Sequence, residues 1–418
     1  MQTDRWLAVV YDEGSVAPTR MRQAAQELGH RTVFVATDSA YTREMRPVLE
    51  RLGPIVDEAG AAPDQVAEQL RQFRPVGILT FSERQLRTTS LLAEWLGLEH
   101  HPTAALDAIT RKDAQRESLA RAGVDSVRFH PIRSVDDVAT AVRVVGLPAV
   151  LKPITGVASR NTFVVGTPDE CRRAAATLLA PDPNGAGLPE RELLLEELLT
   201  GTPIDQPWGD YLGVDCLCTE DTVEPVLVTS KFRLAAPFRE RGGYAGQSAS
   251  DDATVEAAAQ LACRAIRAVG IRTGIAGAEI KLTPSGPRVI EVNGRLGGWV
   301  DQLARSTGHS DPVELAVRSA LGLPLPAVIP RQQGPISFQY LLMPPPDAVS
   351  VTAVHDVAAL RRVRNVERVI VRARRGMPVR WQLGNDSGVA AAIGTAHSLA
   401  ELTATIDQLE AANWITYA

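Results

Sequence analysis

The densest run of chemically competent side chains in the 418-residue chain lies between residues 279 and 298. Glu279-Ile280-Lys281-Leu282 and Val289-Ile290-Glu291-Val292-Asn293 are two alternating apolar runs separated by Thr283-Pro284-Ser285-Gly286-Pro287, a pattern that predicts a β-hairpin. Side chains alternate faces along a strand, so Glu291 and Asn293 share a face, as do Glu279 and Lys281. With residues 283–287 as the loop, Leu282 lies opposite Arg288 and Glu279 opposite Glu291. Like charges directly across a strand pair repel unless something neutralises them, and hard oxygen donors at that spacing suit Mg²⁺. Two solvated surface glutamates are the plain alternative; the apolar flanks and the following Asn293-Gly294-Arg295-Leu296-Gly297-Gly298 favour a site.

A second centre is Lys152, set in the apolar run Pro148-Ala149-Val150-Leu151-Lys152-Pro153. An unpaired ammonium in a buried strand is costly, so this lysine calls for an anionic partner. The small polar turn after it, Thr155 to Asn161, could fold its backbone N–H groups over phosphate oxygens. Read singly, Lys152 could also be a strand-edge lysine, and Lys112, between Arg111 and Asp113, a solvated one.

The elements that must position these groups read as α/β throughout. Residues 1 to about 100 alternate short apolar runs (Leu7 to Tyr11, Thr32 to Ala36, Gly77 to Phe81) with amphipathic stretches, the pattern of βαβ units around a parallel sheet. The first strand-to-helix turn, Asp12-Glu13-Gly14-Ser15-Val16, lacks the G-x-G-x-x-G of dinucleotide binding. Thr103 to Ala122 is expected to be one helix. Val127 to Ile132, Ala149 to Ile154 and Phe163 to Val165 are strand candidates, with a helix over Ser134 to Val145. Ala180 to Arg191 reads as an exposed loop. Strand candidates follow at Leu193 to Leu199, Tyr211 to Cys218 and Glu224 to Ser230. The Gly-rich stretch Arg233 to Ser250 is expected to be a lid, and Val255 to Val269 a helix. From Pro335 onward, strands at Ile336 to Leu342, Val366 to Val371 and Val389 to Ile393 and a helix around Leu399 to Leu409 suggest a small α/β module.

Composition removes several function classes. Asp plus Glu outnumber Lys plus Arg by 49 to 44, a net charge of −5, and no basic run interleaves with aromatics, so nucleic-acid binding is not expected. The four cysteines (Cys171, Cys216, Cys218, Cys263) form no C-x-x-C pair and no zinc pattern, which fits a reducing cytoplasm. Trp6 to Tyr11 is apolar for six residues only, too short for a signal core, and no segment approaches the ~20 apolar residues of a membrane span.

In order, Lys112, Leu151-Lys152-Pro153 with its polar loop, Leu195-Glu196-Glu197-Leu198, Ala278-Glu279-Ile280-Lys281, and Ile290-Glu291-Val292-Asn293-Gly294-Arg295-Leu296-Gly297-Gly298 resemble the ATP-grasp superfamily. Within it they most resemble the carboxylate-amine ligases that join amino acids, the L-amino-acid ligases (dipeptide synthetases). The resemblance covers about residues 100 to 325 and continues more loosely at both ends. Its most specific part is the Glu-x-Asn-x-Arg-x-Gly-Gly string. It implies an α/β ATP-grasp fold with an N-terminal Rossmann-like parallel-sheet domain (1–105), a small α/β lid subdomain (106–200) and a C-terminal catalytic domain (201–418), of which 331–418 would be a small α/β extension.

By that resemblance Lys112 and Lys152 would contact ATP, and the backbone from Glu196 through Glu197 to Leu198 would form the hinge along the adenine edge. Glu279, Glu291 and Asn293 would hold two Mg²⁺ ions, and Arg295 would stabilise the transferred phosphoryl group. Lys231 would contact phosphate and Glu240 the substrate amine. The chain departs from the family pattern in three places. The ribose-binding glutamate expected soon after Gly201 is missing, and Asp210 is the substitute preferred over Asp205. Gly277 stands where relatives often have histidine. Gly243 replaces a lid histidine of some dipeptide ligases. Trp299, after the Gly-Gly, would shape the acceptor pocket or simply pack in the core. The implied activity is ATP-dependent amide formation through an acyl-phosphate on amino-acid-like substrates, with a homodimer the usual assembly of relatives. The rival readings are an ATP-grasp carboxylase, a nucleotide-precursor ligase, and a non-catalytic nucleotide-binding regulator.

Overall fold

The computed structural model describes residues 5–58, 60–180, 190–329 and 334–418. Most of the loop expected at Ala180 to Arg191 falls outside them.

The N-terminal strands β1 (Trp6–Tyr11), β2 (Arg31–Ala36), β3 (Ile55–Asp57) and β4 (Pro75–Leu79) form a sheet in the order β3-β2-β1-β4. Every pairing in it is parallel. Such a sheet must be covered on both faces, and the alternation within β1 shows how. Trp6, Ala8 and Val10 pack against the helices Pro63–Arg71 and Leu86–Leu96. Leu7, Val9 and Tyr11 enter a second core with Leu303, Ala304, Val313 and Val317. These last four lie on the helices Val300–Ser306 and Pro312–Ala320, just after the Gly-Gly string.

The small sheet contains β5 (Phe129–Ile132), β6 (Ala149–Pro153), β7 (Phe163–Val165) and β8 (Leu193–Glu197), ordered β5-β8-β6-β7. Ala149, Leu151, Leu193 and Leu195 bury against the helices Val138–Val145 and Pro168–Leu179. The two-residue period then turns Lys152 and Glu196 to the other face. The single helix expected over Thr103 to Ala122 is instead a 3-10 turn at Thr103–Ala105 and two helices, Leu106–Thr110 and Lys112–Arg121. The break is at Arg111, which is extended (φ −122°, ψ 126°). Its guanidinium binds Asp113 and Glu192, and the Lys112 N–H donates to the Ile154 carbonyl at 3.1 Å. The break therefore fastens Lys112 beside the end of β6.

The third sheet contains β9 (Trp208–Cys218), β10 (Val223–Phe232), β11 (Gly242–Ala245), β12 (Gly274–Thr283), β13 (Gly286–Asn293), β14 (Ile336–Leu342), β16 (Val366–Val371) and β17 (Ala390–Ala396). A separate pair joins β15 (Val351–Val354) to β18 (Ile415–Tyr417). The eight strands run β13-β12-β9-β10-β11-β14-β17-β16, so the C-terminal strands continue the sheet that carries the Glu279–Glu291 hairpin. The helix Asp252–Ala268 covers one face through Val214, Cys216, Ala276, Ala278 and Ile280, which leaves Glu279 and Asp215 on the opposite face.

The lid reading of Arg233 to Ser250 is overturned. Gly242–Ala245 is an internal strand, paired with β14 along its length and with β10 at Ser230 and Lys231. Arg239 is 1% exposed and donates to the Ala236 and Pro344 carbonyls. Arg241 binds Tyr340 and Glu410. Neither arginine is free to close over a nucleotide, because each is consumed in docking this segment to the C-terminal strands. Among the described residues no helix is long and apolar enough to cross a membrane.

Candidate active site

Glu279 pairs with Glu291 across β12 and β13, and Gly277 with Asn293. The hairpin loop is shorter than expected, with Thr283 opposite Gly286 and Leu282 opposite Pro287. A bulge between Glu279 and Ile280 restores the expected register. A bulge inserts one extra residue and re-aims the side chains beyond it. Here Ile290 is the extra residue, so Val289 and Val292 both enter the core while Glu291 returns to the face of Glu279. The helix Lys112–Arg121 satisfies the exposed edge of β13: Arg116 donates to the Val289 and Ile290 carbonyls at 2.8 and 2.6 Å. Gln115 accepts from the Val292 N–H and donates to its carbonyl, both at 2.8 Å.

The two glutamates look toward different surroundings. Glu291 faces the small sheet: Lys112 Nζ lies 2.8 Å from its carboxylate and also donates to the Gly156 carbonyl at 3.1 Å. Burial opposes the Glu291 charge, but Lys112 and Lys152 outweigh it and hold the carboxyl below its usual range. Beside them Glu196, 5% exposed, is clamped between Lys152 and Arg116. Burial would raise its carboxyl, yet the two cations pull it down to about 2.

Glu279 faces the other way, toward Lys231, Glu240 and Arg295. Its carboxyl is lifted to about 7, first by burial, with Glu240 and Glu291 adding repulsion against the opposing pull of Lys231 and Arg295. Lys231 Nζ is 2.5 Å from Glu240 Oε1. A Cβ on Gly213 would stand 3.1 Å from Lys231 Cε, so a glycine there gives the lysine its path across the sheet. Arg295 comes from the turn after β13, with its Nε 3.1 Å from Glu83 Oε2 and its Nη1 donating to the Leu296 carbonyl at 2.9 Å.

Several of these supports carry no local sequence signal. Glu83 arrives from beyond β4, a strand of the N-terminal parallel sheet. Asp215, 2% exposed, accepts the Gly297 N–H at 2.7 Å and so fixes the Gly-Gly turn. Its carboxyl is raised to about 6 by burial, which that N–H, Lys231 and Arg295 only partly offset. His101 lies 2.6 Å from the Gly294 carbonyl, and a Cβ on Gly294 would meet Ile109 at 2.6 Å. His101 is thus a structural histidine that holds the turn after β13.

Most of the sequence-predicted residues fall into two clusters. Lys112, Lys152, Glu196 and Glu291 form one cluster; Lys231, Glu240, Glu279 and Arg295 form the next. Asp210 lies apart, bound to Lys281 at 2.7 Å. It is nonetheless packed on Gly201, three residues past the hinge, since a Cβ there would clash with its carboxylate. Glu197 turns outward to Arg128 at 3.1 Å, Leu198 is half-buried, and Asn293 sits opposite Gly277. Lys231 stands on the Glu240 side of the hairpin and not beside Lys152. Trp299 holds a positive φ of 65° at the start of the helix Val300–Ser306. A cleft of about 570 Å³ opens beside the first cluster, with Glu83, Arg87, Lys112, Thr155 and Glu291 in its wall.

Among the described residues no group of three or more His, Cys, Asp and Glu side chains could hold a metal ion by itself. Mg²⁺ needs less from a protein, since it is commonly bound through one or two carboxylates plus water and phosphate oxygens. Glu279 and Glu291, directly opposite each other on the hairpin, supply two such carboxylates.

The Glu196 clamp has a measurable consequence. A carboxyl held at about 2 against an ordinary 4.5 favours the folded state, an advantage that burial of the Lys152 ammonium, itself pushed below its ordinary range, partly offsets. The contribution is complete above pH 4.5 and is lost as pH falls toward 2. Glu196→Gln strands two buried cations and is expected to cost about 3 kcal/mol or more at neutral pH. Thermal unfolding from pH 3 to 7 checks both; a variant as stable as wild type at pH 7 contradicts the clamp.

No family model matches the chain. Carnosine synthase 1 of Gallus gallus is 29% identical over 344 residues, 77% of this chain and 36% of that protein. The alanine–anticapsin ligase of Bacillus subtilis is 24% identical over 245 residues, 56% of this chain and 52% of that protein. The chain thus spans about half or less of these curated relatives. Among solved structures, an L-amino acid ligase from Bacillus licheniformis superposes with a TM-score of 0.75 at 19% identity, covering 100% of both chains. With its parallel N-terminal sheet, small antiparallel sheet and large antiparallel sheet matched end to end by such neighbours, the chain has the ATP-grasp fold.

Proposed function

We propose that the protein is an ATP-dependent carboxylate-amine ligase that forms an amide bond between amino-acid-like substrates through an acyl-phosphate. One observation carries this reading: the paired glutamates separate a cation cluster suited to a triphosphate (Lys112, Lys152) from a cluster suited to an amino acid (Arg295 for carboxylate or phosphoryl oxygens, Glu240 for ammonium). The amino-acid ligase names of the relatives and of the structural neighbour support it.

A substrate carboxylate oxygen attacks the γ-phosphorus and ADP leaves. The amine then attacks the acyl carbon, and phosphate departs carrying one carboxylate oxygen. Such transfers need positioning and charge stabilisation more than covalent help. Lys112 and Lys152 orient the phosphates, the backbone from Glu196 to Leu198 borders the adenine, and Asp210 serves the ribose. Lys231 contacts the reacting phosphoryl group from the Glu240 side. Arg295 stabilises charge on the transferred group, and Glu240 holds a substrate amino group. Glu279, Glu291 and Asn293 would hold Mg²⁺, taken as two ions, which would supply neutralisation of phosphate charge. We place the reaction in the cytoplasm, consistent with cysteines that are all free.

Incubation with ATP, Mg²⁺ and pooled amino acids, followed by mass spectrometry, is expected to yield ADP, phosphate and a product equal in mass to two substrates less one water. Phosphate release that requires bicarbonate instead of an amine would contradict the proposal in favour of a carboxylase. Absence of phosphate release would favour a nucleotide-binding regulator.

A further inference from the structure

The turn Trp381–Ser387 belongs to none of the motifs, yet it touches the site from two directions. On one side, the Asn385 N–H donates to the Ala158 carbonyl at 2.8 Å, and the Asn161 N–H donates to the Gln382 carbonyl at 3.1 Å. Trp381 also meets Phe163 edge-on, with ring centroids 5.2 Å apart. These contacts seize the polar loop 155–161, in which Ala158, Ser159 and Asn161 hold positive φ angles of 59°, 56° and 51°. Non-glycine residues keep that conformation only where their surroundings enforce it. Gly384, itself at φ 59°, allows the close approach, since a Cβ there would stand 2.0 Å from the Ala158 carbonyl oxygen.

On the other side, the Asn385 side chain grips Glu240. Its Oδ1 accepts the Glu240 N–H at 2.7 Å, and its Nδ2 donates to Glu240 Oε2 at 3.4 Å. One residue therefore joins the loop beside Lys112 to the carboxylate beside Lys231 and Glu279.

We infer that Asn385 is a positioning residue that makes the placement of Glu240 depend on the seating of loop 155–161, so that the amino-acid site is completed only when the nucleotide side is closed. The inference rests on the ligase reading and on the amine-holding role of Glu240. It gives the chain a physical reason to bind ATP first, because an acyl-phosphate made in a half-assembled site would meet water before amine. Coupling between sites is reciprocal, so an amino acid should tighten the binding of ATP.

Two variants test it, each compared with wild type for amino-acid KM, ATP affinity and phosphate released per amide formed. Asn385→Ala removes both side-chain bonds to Glu240. It is expected to raise the KM of the amino acid held there about tenfold, to increase phosphate released per amide, and to leave the affinity for ATP alone, measured without amino acid, within about twofold, while the tightening of ATP by the amino acid is lost. Gly384→Ala pushes the loop away and is expected to raise the same amino-acid KM through the same joint. The double variant should then fall short of the product of the two effects, as coupled sites do. Unchanged amino-acid KM in Asn385→Ala, a uniform loss in every parameter, or multiplicative effects in the double variant overturns the inference while leaving the ligase reading intact. A wild-type protein that forms no amide overturns both.

Discussion

Replacing Arg295 with alanine is expected to abolish amide formation while leaving nucleotide binding largely intact. The guanidinium lies past the end of β13, paired to Glu83 and tied to the Leu296 carbonyl, and its charge acts on Glu279. In the proposed reaction its work falls on charge that develops as the phosphoryl group moves. Loss of one such preorganised donor costs about 10²–10³-fold in kcat. The variant also leaves Glu83 without its ion pair. Burial already raises that carboxyl, so Glu83 is expected to take up a proton and leave the fold standing. Calorimetric titration with a non-hydrolysable ATP analogue, set beside a product assay, checks both halves. Retained turnover removes Arg295 from the mechanism.

Glu279→Gln is expected to separate activity from stability. At Glu279 the folded-state carboxyl sits at about 7 against an ordinary 4.5, so the charged form is penalised by folding. The sign follows: this group favours the folded state most below pH 4.5, and that contribution is lost as pH rises through 7. Because Glu279 is only half-buried, the penalty at pH 8 is taken as about 1–2 kcal/mol. In metal-free buffer at pH 8 the glutamine variant should therefore melt a few degrees above wild type, while its turnover falls about 10³-fold for want of a metal carboxylate. Adding Mg²⁺ and nucleotide should raise the wild-type melting temperature by mass action and the variant's much less. A variant that melts lower and keeps turning over contradicts the role given to this carboxylate.

How far the sequence reached depends on whether a feature was local. The hairpin pairing of Glu279 with Glu291 was legible because strand alternation is a local rule, although two departures from the expected loop and ladder cancelled to give it. Lys152 was legible as a buried cation in want of an anion, but its direct partner is Glu196, which sequence had placed at the hinge. The helix Pro168–Leu179 was passed over even though Thr167, Pro168 and Glu170 spell its start: Thr167 Oγ1 accepts the Glu170 N–H at 3.2 Å. The lid reading of 233–250 failed because glycine and charge predict mobility only where no neighbouring strand claims the backbone, and β14 claims it from about a hundred residues downstream. Glu83, Asp215 and Asn385 were invisible for a related reason. Each is an ordinary polar residue until the fold delivers it, from another sheet, strand or turn, to a site whose motifs lie elsewhere.

The account stands on transfer of phosphate to a carboxylate oxygen between the two clusters, and isotope tracing reads that event directly. With ATP, Mg²⁺ and amino acids carrying ¹⁸O in their carboxyl groups, the phosphate released alongside ADP should contain one labelled oxygen for each amide formed. Unlabelled phosphate accompanying amide, or AMP and pyrophosphate in place of ADP and phosphate, would contradict it.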